Sequence, residues 1–428
     1  MKDESGIAAE ARNDSASFVQ SFVRNLFWSR MEKLRQGRLL CIEGAQRRIF
    51  GGPADTPLAA TIDIRDPRFF RYVMFGGSLG AAEAYIEGFW VCDDLVALVR
   101  IFCRNADVLQ GIERGAARLL NLLRTAAHRT KRNTLSGSRR NIAAHYDLGN
   151  DFFSLFLDET LAYSCAIFPG RESTLQEASV AKFDRICQKL QLSEKDHVLE
   201  IGSGWGGFAL HAASRFGCHV TASTISRRQY EFTVTRVKEA GLEDRICVLL
   251  RDYRDLEGAY DKLVSVEMIE AIGYPYFDTY FAKCSALLKP GGMMLLQAIV
   301  FPDQQYERYR RSVDFIQKYI FPGGCLPSVG EICRSIGRAS QFRLSHLEDI
   351  TPHYAKTLSH WRQRFRTKIG RIRELGFNEE FIRTWEFYFC YCEGGFRECA
   401  IGDVQMLLTK GLLINKGCIL LQAPRPAN

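Results

Sequence analysis

The stretch HVLEIGSGWGG, from His197 to Gly207, carries an apolar strand straight into a glycine-rich turn. Glycines there let backbone N–H groups approach a ligand without Cβ clashes, and a helix beginning at that turn presents its positive N-terminal end to the same place. The turn therefore reads as a nucleotide-type site. The same unit then repeats along the chain. A helix from Trp205 to Phe216 leads to the strand HVTAST, and a helix from Arg227 to Ala240 leads to the strands ICVLL and KLVSVE. A helix around Tyr276 to Leu288 and the strand MMLLQAIV complete the series. Strands alternating with helices of this length need right-handed crossovers. The expected fold class is α/β, a doubly wound, mainly parallel, Rossmann-like sheet.

Gly202, Gly204 and Gly207 satisfy G-x-G-x-x-G, a spacing that dinucleotide sites share. Two features favour S-adenosylmethionine instead. Glu200 precedes the first glycine by two residues, where a carboxylate can help hold the cationic amino-acid end of that cofactor. The ribose-binding acid expected about 20 residues on is missing, since the next strand ends in Thr221, Ala222, Ser223 and Thr224. The sheet is thus expected to be that of a class I methyltransferase. Asp252 and Tyr253 follow the strand ICVLL at the carboxyl edge, where ligands sit in such sheets. Tyr253 is a candidate for the adenine pocket, with an ordinary half-buried aromatic as the alternative.

At 428 residues and 46% hydrophobic content, two domains are expected. The first 17 residues are polar and small, and read as a disordered start. Residues 18–123 mix strand-like runs (Arg38 to Phe50, Ala59 to Ile64) with a helix from Asp94 to Asn105, and read as a smaller mixed N-terminal domain. Residues 124–140, with TAAHRTKRNTLSGSRR, read as a basic linker, which leaves 141–428 for the catalytic domain. The 14 cysteines lack the spacing of a disulfide framework. Cys390, Cys392 and Cys399 do not form C-x2-C, so reduced structural thiols and no metal are expected. Without an apolar leader or a run of roughly 20 apolar residues, a cytoplasmic location is expected. The formal charge of +8 points to an anionic partner, whether nucleic acid, an acidic ligand or a membrane surface.

Several long segments together carry a family likeness. HYDLGNDFFSLFLDETLAYSCAIF from His145, VLEIGSGWGGFA, DYRDL, VEMIEAIG and FIQKYIFPGGCLPS resemble the cyclopropane fatty-acid synthases and related lipid methyltransferases. The first domain's IRDPRFFRYVMFGGSLGAAEAYIEGFWVCDDL and the closing FRECAIGDVQMLLTK extend the likeness over nearly the whole chain. The resemblance implies methyl transfer from S-adenosylmethionine to the cis double bond of an unsaturated phospholipid acyl chain, closing to a cyclopropane. It implies that Tyr163, Ser164 and Cys165 touch the cofactor and reaction centre, and that further cofactor contacts fall on Gly202, Gly204, Thr224, Gln229 and Tyr253. It also implies a bicarbonate ion held by Cys165, Glu270, Gln297, Ile299 and Tyr354. Well-known members have His at the position of Gln297, and many have His where this chain has Ala271. A branch with E-M-I-E-A and L-Q-x-I includes both cyclopropane formers and enzymes that leave a methyl or methylene branch, so that product is the alternative.

An alkene is a poor nucleophile, so it needs close alignment with the sulfonium in a dry cavity, and the resulting carbocation needs a nearby base. Glu270 as acceptor, with the Gln297 amide and Tyr354 hydroxyl as donors, would hold the bicarbonate for that role. Cys165 has no activating base in its context and is not expected to act as a nucleophile. Aromatic residues from Trp385 to Tyr391, with Phe315, Tyr319 and Phe321, suit either an acyl tunnel or core packing. From Lys356 to Arg373, Trp361, Phe365, Ile369 and Ile372 recur at helical spacing among basic residues. Such a helix can lie on anionic lipid, or its stripe can pack on the sheet. Residues 303–327 read as a cover over the acyl site, and the N-terminal domain as a membrane contact or a homodimer surface. Together these give an enzyme at the inner face of the membrane. A nucleic-acid methyltransferase would want Asp/Asn-Pro-Pro-aromatic where VEMIEAIG stands, so nucleic acid is not an expected partner. A non-catalytic lipid-binding protein is the alternative from another class.

Overall fold

The computed structural model describes residues 20–113 and 148–411. The expected disordered start, the basic linker, and residues 145–147 of the first family segment lie outside them. The chain divides into two compact units. One holds residues 20–113 together with 311–322 and 369–400, and the other holds 148–310, 323–368 and 401–411. The smaller unit thus draws two pieces from the second half of the sequence, where a simple division at a linker would place none.

The first unit carries a four-stranded mixed sheet in the order β2-β1-β3-β4, formed by β1 (Arg38–Glu43), β2 (Gln46–Gly51), β3 (Ala59–Ile64) and β4 (Trp90–Cys92). β1 pairs antiparallel with β2 and parallel with β3. The acidic start read at Asp94 is a helix cap, its carboxylate accepting the Ala97 N–H at 2.9 Å and opening the helix Leu95–Arg104. The aromatic run from Trp385 lies on the helix Glu379–Arg397, with Trp385, Phe387 and Phe389 buried. Phe387 meets Phe315 edge-on at 4.9 Å and Tyr85 at 5.7 Å, so these rings pack the core of this unit.

The second unit is built on a seven-stranded sheet ordered β10-β11-β9-β8-β5-β6-β7. Its parallel part consists of β5 (His197–Ile201), β6 (His219–Thr224), β7 (Ile246–Leu250), β8 (Tyr260–Val266) and β9 (Leu288–Val300). The helices Gly207–Phe216, Arg227–Glu239 and Phe277–Leu287 connect them, close to the limits that the apolar periodicity predicts. Val198, Leu199, Leu263, Val264 and Leu295 are fully buried, as strands covered on both faces require. Two strands absent from the sequence reading close one edge. β10 (Phe342–Asp349) and β11 (Gly402–Lys410) are antiparallel, and β11 pairs with β9 so that Gln405 stands opposite Gln297 and Asp403 opposite Ile299.

The basic helix expected from Lys356 to Arg373 is instead two helices, Thr351–Thr367 and Ile369–Glu374, broken at Lys368. The apolar stripe explains the earlier start: Tyr354 and Leu358 precede Trp361 and Phe365 at the same spacing, and all four are buried. Trp361 packs on Tyr163, Phe156 and Tyr354, and Phe365 on Phe152. The stripe is thus spent on the core, and Arg364 and Arg366 of the same helix stay exposed. Among the described residues, no helix is long and apolar enough to cross a membrane.

Candidate active site

Every parallel strand of the second unit delivers its carboxyl end to the same edge of the sheet, and the residues singled out from the sequence collect there. β5 ends in Glu200 and Ile201 before the glycine turn. Gly202 has φ +86, and a Cβ there would lie 2.9 Å from Met268 Cγ, so the turn needs glycine on both conformational and steric grounds. Gly207 is placed differently from the cofactor contact expected of it. Its missing side chain faces the Thr160 carbonyl at 2.5 Å and the Phe183 ring, so this glycine serves packing between helix and loop.

Glu200 is buried, and its Oε2 has no hydrogen-bond partner. Burial pushes its carboxyl up to about 8, against a smaller opposing pull from Lys182. A buried, orphaned carboxylate beside a positive-φ glycine turn suits the cationic amino-acid end of S-adenosylmethionine. At the end of β6 the Thr224 hydroxyl donates to Gln229 Oε1 at 2.9 Å, and both side chains are buried. After β7, both Asp252 oxygens accept from the Arg254 guanidinium (2.8 and 2.7 Å), which fixes the turn that Tyr253 continues. The Tyr253 hydroxyl is buried without a partner. A depression lined by Ile225, Arg227, Leu250, Arg251 and Asp252 opens beside these strand ends and suits the nucleoside half. The residues present therefore fit the cofactor.

Tyr163, Ser164 and Cys165 form a wall of the same edge. The Tyr163 ring packs against Phe153 and Trp361. The Ser164 hydroxyl accepts from Lys182 Nζ at 2.5 Å, and this lysine is fully buried, with its proton affinity lowered by desolvation against the pull of Glu267. The Cys165 thiol is fully buried beside the Ala166 carbonyl at 3.3 Å, and burial holds it well above the ordinary thiol range. It stays protonated, so Cys165→Ser should keep most of the activity, measured as label transfer to lipid. Total loss with an intact fold would count against that assignment.

The end of β8 holds a residue that the sequence reading left out. Glu267 has φ +47, a left-handed conformation that costs a side-chain-bearing residue about 1–3 kcal/mol. Its carboxylate takes three donors: the Cys165 N–H and Gln297 Nε2 on Oε1, both at 2.7 Å, and the Tyr354 hydroxyl on Oε2 at 2.6 Å. Glu270 sits one turn on, with Oε1 accepting the Ile299 N–H at 2.6 Å and Oε2 buried without a partner. Burial, and then the charge of Glu267, push Glu270 up to about 8. Asp403 is pushed well above the carboxylate range by burial and by Glu267 and Glu270. Burial raises Glu267 as well, but its three donors, together with the pull of Lys182, oppose that rise, whereas Glu270 and Asp403 are pushed up by the neighbouring carboxylates too. Glu267 is therefore the one of the three that carries the negative charge.

Gln297 is held by a buried relay. Lys189 Nζ donates to Gln405 Oε1 at 2.7 Å, Gln405 Nε2 donates to Gln297 Oε1 at 3.0 Å, and Gln297 Nε2 is left to donate to Glu267 at 2.7 Å and to Asp403 Oδ2 at 3.2 Å. Because an ammonium only donates, it sets the direction of both amides. Lys189 is itself paired with Glu348 at 2.5 Å. The structure thus brings Cys165, Gln297 and Tyr354 together as expected, with Glu270 and Ile299 adjacent. The donors assigned to bicarbonate, however, already end on Glu267. A bicarbonate there would have to compete with that carboxylate for the same donors. The sequence did carry a signal for Glu267, since it opens the E-M-I-E-A stretch that accompanies Gln297.

A doubly wound sheet with this cofactor edge defines a class I methyltransferase that uses S-adenosylmethionine. The match of residues 133–406 to the mycolic acid cyclopropane synthetase model shows that the chain belongs to that family. It is 39% identical over 367 residues to a tuberculostearic acid methyltransferase of Mycobacterium tuberculosis, covering 84% of this chain and 85% of that one. It is 37% identical over 361 residues to the cyclopropane-fatty-acyl-phospholipid synthase of Escherichia coli, covering 82% and 88%. Among solved structures, the cyclopropane synthase MmaA2 of Mycobacterium tuberculosis superposes with a TM-score of 0.60 at 30% identity, covering 64% of this chain and 98% of that one. A mycolic acid cyclopropane synthase complexed with SAH and CTAB gives the same TM-score at 32% identity, covering 64% and 98%. The chain is a lipid-modifying methyltransferase.

Proposed function

We propose that the enzyme transfers the methyl carbon of S-adenosylmethionine to the cis double bond of an unsaturated phospholipid acyl chain, and that loss of a proton from the new methyl closes a cyclopropane. The observation that carries this reading is a buried cluster of carboxyl groups, Glu267 and Glu270 just after β8 and Asp403 on β11, beside the cofactor turn of β5 and bound by Gln297 and the Ile299 N–H of β9. When bound, the cofactor supplies a methyl carbon made electrophilic by its sulfonium. Glu200 would hold the ammonium end, Thr224 and Gln229 would line the far side, and the Tyr163 ring, backed by the buried Trp361, would keep water from the reacting carbons. The Tyr163 π face would also stabilise the cation that forms on the alkene.

A methyl- or methylene-branched product is the second reading. It is supported by the likeness to the tuberculostearic acid methyltransferase and by the pairing of Glu267 with Gln297. We place the substrate at an anionic membrane surface, a reading supported by the net charge of +8. Liposomes of mono-unsaturated phospholipid with methyl-labelled cofactor test all three points. A gained CH2 with upfield ring protons by NMR gives the cyclopropane, vinylidene protons give the methylene branch, and binding should weaken with salt. Absence of label from every lipid tested would sink the substrate assignment.

A further inference from the structure

The cluster beneath Tyr354 already holds an anion, and that anion is part of the chain. A carboxylate and a bicarbonate present the same paired acceptor oxygens on a planar carbon, so one set of donors serves either. Here the Cys165 N–H, the Gln297 amide and the Tyr354 hydroxyl all end on the two oxygens of Glu267, at 2.6 to 2.7 Å. We propose that Glu267 is the general base of the reaction, standing where the family resemblance places a bicarbonate, so that proton removal needs no exogenous anion. The proposal rests on the methyl-transfer reading above.

Three independent features converge on it. The left-handed backbone at φ +47 is a strained choice for glutamate, and such strain persists where the surroundings over-determine it. The Lys189–Gln405–Gln297 relay turns a donor toward Glu267, and Gln297 has no imidazole to offer a base of its own. The fully buried Lys182 places positive charge near the cluster, which favours one ionised carboxylate within it.

The step balances without another reactant. The C–S bond breaks with its electron pair left on sulfur, and the alkene π pair forms the new C–C bond, leaving a cation on the neighbouring carbon. A C–H bond of the added methyl then breaks. Its electron pair closes the ring onto the cation, and its proton goes to a Glu267 oxygen. For the methylene-branched product, a hydride shift moves the cation to the carbon that bears the new methyl. The electron pair of the methyl C–H bond that then breaks forms the methylene double bond, and the proton goes to Glu267.

The test uses the full chain with labelled cofactor and mono-unsaturated liposomes, in buffer stripped of carbon dioxide and again with added bicarbonate. Wild-type rates should agree within about twofold between the two buffers, while Glu267→Gln should lose on the order of 10² to 10⁴ in rate, the usual worth of a positioned base. Calorimetric cofactor binding should survive that substitution. Glu267→Gly relieves the left-handed strain and vacates the donors, so bicarbonate should restore its rate by about tenfold or more. A wild-type enzyme stimulated by bicarbonate to that degree, or a Glu267→Gln protein at full rate, overturns the proposal. If Glu267→Gln does not fold, the wild-type comparison and the glycine variant still decide. A wild type that binds cofactor but labels no lipid removes the substrate reading and the proposal with it, and this control is separate from the variants.

Discussion

Glu200→Gln is expected to weaken S-adenosylmethionine binding by about a hundredfold, the scale on which a buried, charge-assisted contact is lost. Without cofactor the same variant should be the more stable protein. Burial raises the folded-state value of Glu200 from 4.5 to about 8, so the folded chain keeps a proton that the unfolded chain gives up. Stability from this group is therefore lost as pH rises from about 4.5 and levels off above about 8, a cost of a few kcal/mol that glutamine removes. Cofactor binding reverses the preference, because an ammonium against the carboxylate favours the ionised form. Binding near neutrality should release up to about one proton, and affinity should rise with pH to about 8. Calorimetry in buffers of different ionisation enthalpy measures the proton directly. The charged group acting on Glu200 is Lys182 from the helix Leu175–Leu190, and the ammonium of a bound cofactor would add to it. Affinity that ignores pH in the wild type would show that Glu200 does not meet the ammonium.

Lys182→Met should cost about tenfold or more in rate at neutral pH while leaving much of the fold in place. The methionine fills most of the same volume, and the lost ammonium is one that desolvation already disfavours. What changes is the field on its neighbours. Lys182 lowers the proton affinity of both Glu200 and Glu267, so without it both carboxyls hold their protons to higher pH. The low-pH limb of the rate profile should move upward, and activity should recover in alkaline buffer. A merely structural lysine would instead lower the rate equally at every pH.

How much of this could be read from the chain depends on how local each signal is. The parallel sheet declared itself because each strand is a short apolar run bounded by turn residues, and the glycine turn marked its cofactor edge. Glu200, Thr224 and Tyr253 follow from being next to those strand ends. β10 and β11 were not visible because Arg343, Ser345 and Glu348 make the first look like surface and β11 lies far from its partner β9. With β11 unread, the pairing of Gln405 with Gln297 was hidden, as was the role of Asp403. Lys182 and Lys189 look like the solvent face of an amphipathic helix, and their burial follows from the strands packed over them. Glu267 is less legible than Glu270 because spacing cannot show that a left-handed residue lies among three donors. The start of the basic helix is masked in the sequence because its charge is concentrated after Tyr354 and Leu358, in the later part of the stripe.

The amide relay behind Gln297 has one more effect, on how the enzyme resets. Amides hold hydrogens but do not pass protons on, so the path through Gln297 and Gln405 to Lys189 is closed to a proton gained by Glu267. With Asp403 and Glu270 already protonated, the gained proton has no vacant carboxylate beside it. It has to leave toward the side where product departs and water returns. Recharging the base is thereby tied to product exit, and turnover would be paced by the lipid leaving rather than by the methyl moving.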